Sequence, residues 1–103
     1  MATVHVEIPT HQRSAAKLPH GEIALDISGP VTQRSILDAL EAKHPILTGM
    51  VRDHHTGKRR DFLRFFACQE DHSLDDPDAP VPAEVASGKE PFIIIGAVAG
   101  GTK

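Results

Sequence analysis

The residues whose types and spacing could support chemistry sit at the far end of the chain, in Gly96-Ala97-Val98-Ala99-Gly100-Gly101-Thr102-Lys103. This string carries no bulky or charged side chain before Lys103. Glycine costs the most backbone entropy to order and adds nothing to a core, so Gly100-Gly101 reads as undocked backbone, thin enough to thread a narrow channel. Just before it, Phe92 to Ile95 is short, aromatic and β-branched, and Pro91 opens it; the run reads as a buried strand. A core strand leading into a slender tail mounts a terminus on a rigid handle.

Other reactive residue types form weaker patterns. Seven histidines invite a metal reading in which His54-His55 converge with His72 or His5. Adjacent loop histidines point apart and no third ligand has diagnostic spacing, so no metal site is expected. Cys68 has no base fixed beside it and reads as a small hydrophobe on an apolar strand. The cluster Arg52, Lys58, Arg59, Arg60 and Arg64 is interleaved with Asp53 and Asp61, and the chain has no tyrosine or tryptophan for base stacking. It reads as a solvated loop rather than a nucleic-acid surface. No nucleophile, base and orienting group stand at recognisable spacing, so the chain is not expected to be an enzyme.

Composition narrows the class. With 103 residues, 40% hydrophobic and 24% charged, the chain has the makings of one globular domain with a modest core. A net charge of −3 argues against a general nucleic-acid binder. One cysteine excludes an internal disulfide and suits a reducing compartment; no apolar run approaches a membrane span, and a cytoplasmic protein without membrane contact is the expectation.

The elements that would hold the terminus alternate in period. Residues 3–8 place Val4, Val6 and Ile8 on one face and Thr3, His5 and Glu7 on the other, and Pro9 ends that strand. Residues 10–21 read as a loop, and Glu22–Ile27 alternates again, predicting an antiparallel hairpin. Thr32 is placed as an N-cap, Val31 and Ile36 have the spacing of a hydrophobic staple, and a helix is predicted over Gln33–Lys43, ended by Pro45. Leu47, Met50 and Val51 allow one further turn. Phe62–Cys68 is a strand with Leu63, Phe65 and Ala67 on one face and Phe62, Arg64, Phe66 and Cys68 on the other. Residues 70–84, with six acids, three prolines and no lysine or arginine, read as an irregular crossing segment. One helix hides one sheet face, so the Phe62, Arg64 and Phe66 face is either a contact surface or, with the faces reversed or the 70–84 segment laid over it, buried.

This order resembles the ubiquitin-like β-grasp fold, and more narrowly the small sulfur-carrier proteins of the MoaD/ThiS family. The residues that carry the likeness are Val4-x-Val6-x-Ile8-Pro9, Leu37 and Leu40 with His44-Pro45, Arg60-Asp61-Phe62, Glu70-Asp71, and Ile94-Ile95-Gly96-Ala97-Val98-Ala99-Gly100-Gly101. The resemblance implies an α+β fold: a mixed sheet of four to five strands with one main helix on one face. A ubiquitin-like domain would span 1–98 and a tail 99–103. It further implies a carrier whose Gly101 carboxylate an ATP-dependent enzyme adenylates, after which a C-terminal thiocarboxylate donates sulfur to a biosynthetic acceptor such as molybdopterin or a thiamine precursor. Gly100 and Gly101 are then the activation site. Phe62, Arg64, Phe66, Ala97, Val98 and Ala99 are the expected partner contacts, and no cofactor is expected. Three features depart from the family pattern: Thr102-Lys103 follow the glycines, Gly96 stands where proline is common, and Cys68-Gln69 where a valine-asparagine pair is common. The first requires trimming by a JAMM-type protease before a sulfur-acceptor synthase can be served. The other function class is a non-catalytic ubiquitin-like interaction module using its exposed sheet face.

Overall fold

Alternating apolar residues and one helical stripe assemble into a sheet with a helix laid across it. The computed structural model describes residues 2–18 and 21–96. Strands β1 (Ala2–Glu7), β2 (Ile23–Ile27), β3 (Leu63–Ala67), β4 (Glu70–Asp71) and β5 (Phe92–Gly96) form one mixed sheet in the order β2-β1-β5-β3-β4. β1 runs antiparallel to β2 and parallel to β5, and β3 runs antiparallel to both β5 and β4. The chain's first and last described strands are therefore neighbours at the sheet's centre.

Period two puts Val4, Val6, Leu25, Ile27, Leu63, Phe65, Phe92 and Ile94 on one face, all nearly inaccessible. Onto them packs α2 (Gln33–Lys43) with Ile36, Leu37 and Leu40 buried. The helix begins where Thr32 predicts, and the cap is reciprocal: Thr32 Oγ1 accepts from the Ser35 amide at 3.0 Å, while Ser35 Oγ accepts from the Thr32 amide at 2.8 Å. A 3₁₀ turn over Pro45–Leu47 follows and drives Leu47 into the core.

Two sequence expectations change. The connection expected as a loop over residues 10–21 opens with a helix, α1 (Thr10–Ala15), whose only buried residue is Gln12. With no apolar stripe to announce it, this helix rests on contacts outside itself, among them Arg13 donating to the Ile8 carbonyl at 2.9 Å. The third strand ends at Ala67 rather than Cys68. Cys68 and Gln69 form the two-residue turn into β4 with φ of 52° and 68°, the left-handed pair that a tight hairpin of this length requires. Within the crossing segment, β4 and the start of α3 (Ala83–Ala86) are regular.

The two sheet edges are β2 and β4. Lys43, at the end of α2, donates its ammonium to the Ala24 carbonyl on β2 at 2.8 Å. The opposite edge, β4, is only two residues long, both acidic.

Candidate partner-binding face

The outer side of β3 and β5 is where apolar side chains remain in solvent. Pairing of Arg64 with Ile95 and Phe66 with Ile93 sets these four residues side by side on the face away from α2. Phe62 at the strand's entry is 53% exposed and Ile95 42%, while Phe66 and Ile93 are half-buried. The 70–84 segment does not lie over them. It runs on the helix side, where Val81 donates to the Val31 carbonyl at 3.1 Å and Pro80 bridges Thr32. The orientation with Phe62, Arg64 and Phe66 outward is thus the one adopted.

The expectation for the last strand is corrected. Phe92 and Ile94 are buried, but Ile93 and Ile95 are not, because β5 is covered on one face alone. A run of four apolar residues does not reveal which alternate pair faces solvent; the register against β3 does.

Arg64 is held on this face by Asp71 at 3.4 Å. The Ser73 hydroxyl and amide hold the Asp71 carboxyl below the usual carboxylate range, with Arg64 adding to them. At the far side of the face His5 lies 3.5 Å from Glu22.

Where β1 ends, α1 turns away and leaves an open groove of about 630 Å³ beside β5. Glu7, Gln12, Phe62, Ile93, Ile95 and Gly96 are among its walls. Glu7 and Gln12 had no signal in the sequence pattern, since neither belongs to a motif and the helix that seats Gln12 was not foreseen. Ala97, Val98, Ala99, Gly100 and Gly101 lie outside the described residues, as does the 98/99 domain boundary.

The basic cluster is dispersed and mostly structural, not a solvated loop. Arg52, its side chain 12% exposed, grips both Glu41 oxygens at 3.0 Å and also Asp38. Arg60 donates twice to the Gly49 carbonyl at 2.9 and 2.7 Å, and Arg59 binds the carbonyls of Ser73, Arg60 and Leu63. These guanidiniums tie the 49–63 connection to its surroundings.

The histidines are not gathered. His54 and His55 stack edge to face at 5.3 Å, whereas His72 bonds Asp75 at 2.6 Å and His5 sits by Glu22. Among the described residues no three metal-ligating groups converge. Partial burial, together with Glu84, Glu90 and Glu70, pushes the Cys68 thiol up, away from the reactive thiolate. Among the described residues no helix is long and apolar enough to cross a membrane.

No family model and no curated protein matches the sequence. Solved structures do match. Small archaeal modifier protein 1 of Haloferax volcanii superposes with a TM-score of 0.73 at 19% identity, over 95% of this chain and 100% of that one. The small archaeal modifier protein 1 of Methanosarcina acetivorans gives 0.69 at 21% identity, over 97% of each chain. CysO of Amycolatopsis orientalis, solved in a complex with BexX, gives 0.66 at 26% identity, over 94% of this chain and 98% of that one. Two of these neighbours are named as modifier proteins, and the third was solved bound to another protein. The structural neighbours of this chain are ubiquitin-like β-grasp proteins of the MoaD/ThiS sulfur-carrier and modifier type, and its mixed five-stranded sheet with one main helix is their fold.

Proposed function

We propose that this chain is a sulfur carrier or protein modifier that works through Gly101. The observation that carries this reading is the placement of β5: a central strand, anchored on its buried side by Phe92 and Ile94, whose next residues are Ala97-Val98-Ala99-Gly100-Gly101. A cleavage after Gly101 removes Thr102-Lys103 and frees the glycine carboxylate. That carboxylate attacks the α-phosphorus of ATP on a partner enzyme and pyrophosphate leaves. Sulfur at the sulfide level then displaces AMP: one C–S bond forms, one C–O bond breaks, and the carboxyl carbon keeps its oxidation state. The thiocarboxylate passes its sulfur to a biosynthetic acceptor such as molybdopterin or a thiamine precursor.

In this reading the partners are an adenylating enzyme, a JAMM-type protease for trimming and an acceptor synthase. The compartment is the cytoplasm, where no oxidant would couple the product. The activating partner grips Phe62, Arg64 and Phe66, an apolar patch with a charged border beside the root of the tail. Ala97, Val98 and Ala99 follow into its channel. The solved complex of CysO with BexX supports the reading only in that a neighbour of the same fold binds a second protein.

Intact mass of a chain ending at Gly101, incubated with ATP, sulfide and an activating enzyme, tests the reading. Replacement of one oxygen by sulfur at the C-terminus is the expected result. An unchanged mass overturns the carrier chemistry and leaves an interaction module that uses the sheet face alone. Mass spectrometry of the protein from its native cell tests the trimming separately.

A further inference from the structure

The groove between α1 and β5 has more chemistry than an apolar docking patch requires. Its floor and outer wall are hydrocarbon and aromatic, from Ile93, Ile95 and Phe62. Two of the residues lining it, Glu7 and Gln12, carry hydrogen-bond acceptors. Gln12 is 3% exposed, yet its Oε1 is sealed inside with no donor among the described residues until the side-chain amide turns. The Glu7 side chain, half-buried on β1, makes no ion pair or hydrogen bond among the described residues. A sealed acceptor and a partly desolvated carboxylate are both costly to leave unmatched. The terminal torsion of glutamine is soft, so its oxygen turns readily toward an incoming donor.

A neutral or acidic side chain leaves Glu7 unmatched, and a purely aliphatic one leaves Gln12 unmatched as well. A guanidinium satisfies both. It offers five donors in a flat fork, pairs with a carboxylate while donating to a neighbouring amide oxygen, and lies against an aromatic face. Its three-methylene stem lies along apolar wall such as Ile93 and Ile95 while the head reaches the polar end.

We infer that the groove receives an arginine side chain of a partner protein, held by Glu7 and Gln12 and flanked by Phe62. The inference rests on the carrier reading only in that the groove adjoins the surface assigned there to the activating partner. It adds the chemistry that surface selects.

The probe is N-acetyl-arginine amide, titrated into ¹⁵N-labelled protein and followed by NMR, with N-acetyl-citrulline amide as the neutral isostere. Arginine is expected to shift the Gln12 side-chain amide and the backbone amides of Glu7 and Ile95, and to bind about tenfold more tightly than citrulline, as a hydrogen-bonded charge does over a neutral group. Glu7→Gln should bring arginine down to the citrulline level, and Gln12→Met should weaken both probes. If Gln12→Met does not fold, the Glu7→Gln and citrulline comparisons decide alone. Equal binding of the two probes, shifts away from the groove, or no shifts at all would overturn the inference. Thiocarboxylate formation is read by mass on the same samples. Loss of arginine binding with sulfur exchange intact overturns the groove and spares the carrier reading; arginine binding without sulfur exchange does the reverse.

Discussion

The two faces of the β3–β5 pair use the same kinds of residue for opposite purposes. On the inner face Leu63, Phe65, Phe92 and Ile94 are each 2% exposed or less, and the Phe65 and Phe92 rings meet at 5.3 Å. On the outer face Phe62, Phe66, Ile93 and Ile95 are just as apolar and remain accessible. Apolar character alone therefore does not mark the core. What marks it is being on the side where α2 lies, and the phenylalanines left on the other side are the ones available to a partner.

The sharpest test of this contrast is Phe65→Ala, expected to cost about 3–5 kcal/mol by creating a cavity in a close-packed core. Urea denaturation measures it, and a loss no larger than that of an outer-face variant would erase the distinction. Next comes Arg52→Met, which deprives the half-buried Glu41 of its two hydrogen bonds and Asp38 of one. A loss of about 1–3 kcal/mol is expected, showing that this basic residue serves the inner architecture. Thr32→Ala removes one arm of the capping box that starts the covering helix and should cost about 1 kcal/mol in the same assay.

Phe62→Ala lies at the small end for stability, within about 0.5 kcal/mol, because little packing is lost at an exposed site. Its effect belongs to partner recognition: thiocarboxylate formation with the activating enzyme should slow by about tenfold, as for a central contact of an interface. A variant that unfolds, or one that is activated at the parental rate, would break the assignment of this face.

The smallest effect is on acid stability. Backbone amides of Thr56 and His55 hold Asp53 below the usual carboxylate range, and Arg34 does the same for Asp78. A carboxyl depressed in the folded state contributes stability above its unfolded pKa, and that contribution disappears as pH falls through the folded value. Stability should thus decline from about pH 4 downward, and Asp53→Asn should flatten the decline in a pH series of thermal melts.

Much of this was readable beforehand. The periods of residues 3–8, 22–27 and 62–68, and the Thr32 cap, are local consequences of side-chain direction and backbone hydrogen bonding, and they appear nearly where expected. The misses have a common cause. Thr10–Ala15 has no apolar stripe, so nothing local distinguishes a helix from a loop there. Phe92–Ile95 is apolar at every position, so nothing local says that Ile93 and Ile95 face out. Arg52, Arg59 and Arg60 look solvated until the carbonyls and carboxylates they bind, up to 14 residues away, are brought beside them.

By itself the sequence determined the four longer strands, the main helix with its start and the glycine-rich run after the last strand, because each depends on neighbours within a few residues. Tertiary structure alone decided which face of β3 and β5 is open, and that Glu7 and Gln12 share a groove with Phe62. Those facts depend on register and on the packing of segments far apart in the chain, which no local pattern encodes.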